Sequence, residues 1–209
     1  MDGQPTDEIQ DSGTLRDLYG EAMGLAIEKE MTSLDQHCRD FLALSPFMVL
    51  GTADAGGLAD VSPKGDLPGF VQVLDDGHIL IPDRPGNNRL DSLTNIVANP
   101  EVATIFLVPG IKETLRINGR ARIVNDSDVV ARFEIKGKVP KSAILIEVRE
   151  VFMHCAKALH RSHLWDDGHK VERTALPRYA KILSDHGGGS RSVDEIQDRI
   201  DTSTRERMW

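Results

Sequence analysis

Several things are scarce in this sequence, and each shortage closes off a class of protein. There are only two cysteines, Cys38 and Cys155. They lie too far apart for a CxxC pair and are too few for a disulfide framework, which fits a reducing cytoplasm. No apolar run approaches the length of a membrane span, and the first eleven residues are acidic rather than signal-like, so no membrane association is expected. Positive charge is in deficit: the formal net charge is −8, which argues against general nucleic-acid affinity but leaves room for a local cationic pocket. No GxGxxG motif follows an expected strand, so the dinucleotide-binding fingerprint is missing. Nothing repeats along the chain, and low complexity is confined to Gly187-Gly188-Gly189.

What remains is ordinary in amount and specific in arrangement. Apolar residues make up 40% and charged residues 28% of 209 residues, enough for one domain with a real core and decorated ends. The organising stretch is 61–93. It holds Val61-Ser62-Pro63-Lys64-Gly65-Asp66, an apolar pair of segments split by Asp75-Asp76-Gly77, and then Asp83-Arg84-Pro85-Gly86-Asn87-Asn88-Arg89-Leu90-Asp91. Asp-Gly between two apolar runs signals a hairpin. Leu90, Leu93, Ile96 and Val97 follow at helical spacing. A loop carrying Arg84 and Arg89 thus opens a helix whose first turn has free N–H groups and a dipole suited to an anion. Asn87 or Asn88 is placed to cap that helix, with Asp91 as its capping-box acid. Guanidinium groups add charge-assisted bonds to phosphate oxygens, and Lys64 offers a further cation. The alternative is a hairpin and a capped helix with solvated arginines.

Taken in order, the chain predicts a helical turn at 15–19, then one amphipathic helix carrying Ile27, Met31, Leu34, Cys38, Phe41 and Leu42 on a single face up to Ser45-Pro46. Cys38 on that face reads as a buried small hydrophobe, and His37 beside it as a surface residue. Strands are expected at 47–52, 58–62, 70–74, 78–81, 102–108, 114–124 and 142–152, with Gly119 as a bulge and a short helix through Phe133. Short strands joined mostly by hairpins and interrupted by one helix favour a closed antiparallel barrel, mainly β with flanking helices.

After the barrel, Lys157, Arg161 and Trp165 recur at steps of four. On one helical face they would present two cations and an indole to a planar anionic ligand; otherwise Trp165 is a packing anchor on a surface helix. The histidines 154, 160 and 163 with Cys155 do not match the usual zinc spacings, so no metal site is assigned. Ser192 and Glu195 form a capping box opening a terminal helix. Met208 and Trp209 suit docking on a partner subunit or a frayed end.

Four motifs together resemble the pyridoxamine 5′-phosphate oxidase-like superfamily, and in particular a bacterial branch of probable FMN-dependent flavoproteins. They are Asp60 to Asp66, Ile81 to Leu93, Glu113 to Ala121 and His154 to Trp165, in order across roughly 20–205. The resemblance implies an FMN-binding split β-barrel that forms a homodimer, with FMN in clefts at the subunit interface. Residues 1–20 would be a mobile segment, 21–165 the barrel domain with its N-terminal helix, and 166–209 a helical extension packing on the barrel or the dimer partner. The phosphate would be held by Lys64, Arg84, Asn88 and Arg89, where Asn88 replaces one of the family's paired cations. Ser62, Pro63 and Thr114 would lie near the ring, Thr114 standing where the oxidase has glutamine. Lys157, Arg161 and Trp165 would complete the cofactor site. These differences point away from pyridoxamine phosphate as the substrate.

The function implied is an FMN-dependent oxidoreductase acting on an unidentified small molecule, with no catalytic acid or base assigned. Two alternatives stay open: a flavin-binding or sensing protein without turnover, and a relative that binds haem, through His154 or His160, or a deazaflavin.

Overall fold

The structure is a computed structural model that describes residues 8–209. These fall into two compact units, one ending at Glu30 and the other running from Met31 to Trp209. The first carries α1 (Ser12–Tyr19) and α2 (Gly24–Glu28). Asp11 caps α1 by accepting from the Gly13 and Thr14 amides, and the Thr14 hydroxyl and amide hold its carboxyl below the usual range. The expectation that residues 1–20 are mobile falls partly on 1–7, outside the described residues.

The helix expected from Ile27 to Leu44 is two helices. It stops at Glu28, and α3 (Gln36–Leu44) begins afresh under the Asp35 cap, whose carboxylate accepts from the Cys38 amide at 2.8 Å. Between them Met31 pairs with Val151 through both its backbone groups, at 3.0 and 2.8 Å. A two-bond β-bridge to a central strand outweighs continuation of a helix whose propensity is weak. The apolar stripe still buries Leu34, Cys38, Phe41 and Leu42, and His37 is exposed.

Seven strands follow: β1 (Phe47–Ala53), β2 (Ala59–Gly65), β3 (Gln72–Asp75), β4 (His78–Pro82), β5 (Glu101–Leu107), β6 (Thr114–Val124) and β7 (Ala143–His154). All pair antiparallel in the order β2-β1-β5-β6-β7-β4-β3. Among the described residues no ladder joins β2 to β3, so the barrel is split rather than closed. The core lies inside it, where Met48, Leu50, Phe106, Leu115, Ile117, Ile144, Ile146 and Val151 are fully buried. Each such side chain contributes about 1.5–3 kcal/mol by burial. On the other face of β7, Leu145 packs with Leu80 and Phe133 under the short helix α5 (Ser127–Val130) and its 3₁₀ turn.

The Gly119 bulge forms as expected, with the β6–β7 register shifting between Asn118 and Gly119. A Cβ on Gly119 would stand 2.0 Å from the Glu147 carbonyl oxygen, so only glycine fits. Helix α4 (Asp91–Ala98) buries Ile96 in the core and is pinned to the barrel by its polar side: Asn95 donates to the Thr52 hydroxyl at 3.1 Å, and Ser92 to the Ser62 hydroxyl at 3.0 Å. After β7 come α6 (Lys157–Ser162), α7 (Tyr179–His186) and α8 (Val193–Arg207), the last opened by the Ser192–Glu195 capping box. Among the described residues, no helix is long and apolar enough to cross a membrane.

Candidate functional site

Two polar segments that are far apart in sequence meet beside the split. The end of β2 and the segment 83–91 line one cleft of about 1260 Å³, with the loop 138–141 and the last turn of α8 on its other walls. The 84–91 loop is shaped by its own backbone. Asn87 accepts the Arg89 amide at 3.0 Å, and both Asn88 and Leu90 adopt left-handed conformations, at φ 57 and φ 61. Leu90, not an asparagine, is the N-cap of α4 and makes no side-chain cap bond. The expected capping by Asn87 or Asn88 is therefore replaced, because Asn87 is spent on a local turn, and Asp91 accepts from the Arg89 side chain at 2.8 Å instead of reaching back. A leucine held at positive φ costs roughly 1–3 kcal/mol, and such strain gathers at ligand sites. It leaves first-turn N–H groups of α4 without a side-chain cap.

The cleft is electropositive in an acidic chain. Six cationic side chains line it against three aspartates, 60, 83 and 91. The three expected phosphate cations each have a carboxylate beside them. Lys64 Nζ lies 3.6 Å from Asp83, Arg84 Nε 2.5 Å from Asp66, and Arg89 Nε 2.8 Å from Asp91. They are not equivalent. The Arg84–Asp66 pair is nearly buried, and Arg84 also donates to the Phe133 carbonyl at 2.8 Å. Arg89 is 73% exposed.

Of the residues expected at a cofactor, Ser62, Pro63, Lys64, Arg84, Asn88 and Arg89 come together in this cleft. Thr114, Lys157, Arg161 and Trp165 do not line it. The proposed face of Lys157, Arg161 and Trp165 does not form, because α6 ends at Ser162 and His163 turns left-handed. The Trp165 indole instead donates to the Ile111 carbonyl at 2.8 Å, the packing-anchor role. Thr114 is buried, and its hydroxyl has no partner among the described residues. Among the same residues no cluster of His, Cys, Asp and Glu is placed to hold a metal. His163 pairs with Asp166 and stacks on His169.

Four lining residues escape the sequence reading: Lys138, Lys141, Arg207 and Trp209. The β4–β7 ladder, which pairs Pro82 with Ala143, brings the 138–141 loop beside the 83–91 loop. That adjacency has no local signature. Trp209 reads from sequence only as an apolar end; its ring lies 5.8 Å from both the Arg84 guanidinium and the Lys136 ammonium.

The cleft fits a phosphate-bearing cofactor. It exceeds the roughly 300–1,000 Å³ of common ligand pockets, carries surplus positive charge and offers uncapped backbone donors. The fold and the site thus define a split-barrel protein with a cationic cleft beside the split. Residues 34–155, more than half of the chain, match the family model described as pyridoxamine 5′-phosphate oxidase, and the chain belongs to that family. No curated protein matches the sequence. Similar solved structures include HupZ of Group A Streptococcus, 19% identical over 57% of this chain and 93% of that one, at a TM-score of 0.48. A putative pyridoxamine 5′-phosphate oxidase of Lactobacillus delbrueckii is 23% identical over 58% of this chain and 95% of that one, at a TM-score of 0.45. HutZ, the haem storage protein of Vibrio cholerae, is 18% identical over 58% of this chain and 93% of that one, at a TM-score of 0.41. Likeness at this level bears on neither the ligand nor the activity of this chain.

Proposed function

We propose that this protein is an FMN-dependent oxidoreductase acting on a small molecule, with the cofactor phosphate at the 84–91 loop. The observation that carries the reading is the convergence of Ser62, Pro63, Lys64, Arg84, Asn88 and Arg89 on one cationic cleft in a member of this family. Arg89 is the mobile phosphate ligand: its exposed pair with Asp91 is worth little and yields readily to a doubly charged group. Lys64 adds charge, and Asn88 adds an amide donor. Arg84, fixed by Asp66 and Phe133, supplies a preorganised positive edge rather than a swinging contact. Ser62 and Pro63, at the end of β2, would lie near the ring. When bound, the flavin would supply the redox chemistry, while these residues bind, orient and shield it.

We infer that two copies associate through the outward face of β2, β1, β5 and β6. Register aligns Val61, Gly51 and Ala103 in one row and Pro63, Val49 and Ile105 in the next, an apolar surface with Val61 69% exposed. On the same strand face of β6, Asn118 keeps a buried amide oxygen without a partner among the described residues. Across such a dimer, the exposed Lys157 and Arg161 would reach the cofactor from the second copy, with Lys157 near the polar edge of the ring. Two free thiols, one of them exposed, fit a cytoplasmic setting.

The test is an FMN titration followed by mixing with NADH or NADPH and an acceptor. Saturable FMN binding with turnover is expected. Binding without reduction or reoxidation would leave a flavin carrier, and failure to bind FMN would overturn the reading.

A further inference from the structure

One carboxylate in the cleft is unlike the others. Of the three aspartates that line it, Asp83 lies 3.6 Å from Lys64 and Asp91 2.8 Å from Arg89, whereas Asp60 faces no cation among the described residues. Its neighbours are hydroxyls. Alternation along β2 sets Asp60, Ser62 and Lys64 in one half-buried row, with Val61, Pro63 and Gly65 exposed on the other face. Ser92, in the first turn of α4, meets that row: its Oγ lies 3.0 Å from Ser62 Oγ and 3.4 Å from Asp60 Oδ2. Ser92 has one proton and gives it to Ser62, the nearer oxygen. The Asp60 carboxylate is left with no short hydrogen bond among the described residues, and most of its acceptor capacity is open. An ionised carboxylate beside a phosphate site repels the phosphate. That repulsion is offset by a ligand part that brings proton donors to the same place.

We propose that Asp60 recognises the polyol chain of the cofactor: its two oxygens accept hydrogen bonds from neighbouring hydroxyls of the ribityl group that joins the flavin ring to the phosphate. This role rests on the reading of the cleft as the FMN site, and it adds the residue that selects a sugar-alcohol ligand there. Position supports it. Ser92 belongs to the first turn of α4, whose uncapped N–H groups mark the phosphate end, and Ser62 is the residue assigned to the ring. Asp60, beside Ser92 and in the same row as Ser62, borders the span between them. The chemistry agrees. Hydroxyls that give up water in a cleft regain most from an ionised acceptor, and in dinucleotide sites an acidic side chain holds a ribose hydroxyl in the same way.

The test titrates the full chain with FMN and with a flavin phosphate whose ribityl group is replaced by an unsubstituted five-carbon chain, which keeps the ring and the phosphate. Wild type should bind FMN about tenfold or more tightly than the analogue, the worth of a hydrogen bond to a charged group. Asp60→Ala should bring the two affinities close together. It should also leave the affinity for the analogue unchanged or raised, because a repelling charge is gone. Asp60→Asn, which keeps one acceptor oxygen, should fall between. Arg89→Ala should weaken both ligands alike and preserve their ratio. Asp60 is half-buried on an edge strand, and thermal melts check that its variants fold. Equal binding of the two ligands by wild type, or an Asp60→Ala variant that weakens both equally, would overturn the role of Asp60 and leave the FMN reading standing. Wild type that binds neither ligand would sink both.

Discussion

Arg84 and Asp66 hold each other at 2.5 Å across the split of the barrel, from segments that share no backbone ladder. Asp66 follows β2, an edge strand. Arg84 follows β4, near the far end of the pairing order. Lys64 and Asp83 make a second, crossed pair at 3.6 Å between the same two segments. The split is therefore fastened by ions where a closed barrel would use backbone hydrogen bonds. Removing one partner of a nearly buried pair strands the other, at a cost of roughly 3–5 kcal/mol. Asp66→Ala should lower the urea midpoint accordingly, and Asp66→Leu with Arg84→Met should recover most of the loss. Equal destabilisation by the single and double variants would contradict the fastening role.

Arg89 makes the opposite prediction. Its pair with Asp91 is exposed, so Arg89→Ala should leave the melting temperature nearly unchanged. FMN affinity should fall about tenfold or more, the worth of one charge-assisted contact. An FMN titration of that variant with unchanged affinity would remove Arg89 from the site.

The two thiols should behave differently. Burial, followed by the Asp35 side chain, pushes the Cys38 thiol up to about 11, whereas Cys155 is exposed. At pH 8 a disulfide reagent should modify one thiol in the folded protein and two after denaturation, with Cys155→Ser abolishing the folded-state reaction. The sign of the pH effect follows. A folded-state value above the ordinary one means the Cys38 contribution is complete below about pH 8.5 and is lost as pH rises through about 11. Two fast-reacting thiols in the native protein would contradict this.

Gly119→Ala should be severe. The added methyl would meet the Glu147 carbonyl at 2.0 Å, and strand backbone cannot move aside without breaking the β6–β7 register. Expression of folded protein at wild-type yield and stability would show that the bulge relaxes more cheaply than the geometry suggests.

The fold was legible because its signals are local. Asp-Gly set the β3–β4 hairpin, Gly119 the bulge, and Ser192 with Glu195 the start of α8. The helix over 27–44 misled because its apolar spacing continued through Met31, where a bridge to Val151, far away in sequence, took over the backbone. Half of the site was legible for the same reason: Lys64 and the 84–89 loop flank a readable hairpin. Lys138, Lys141 and Arg207 were not, because strand pairing and the docking of α8 bring them in from distant segments. Nor did spacing reveal that Arg84 is committed to Asp66. Charge can be read from a sequence, whereas the partner that neutralises it requires the fold.

The most direct measurement is the visible absorption spectrum of protein purified without added cofactor, with mass spectrometry of what heat releases. The account predicts yellow protein with flavin absorption that releases FMN. Colourless protein that also refuses added FMN, or a spectrum dominated by a haem band, would contradict it.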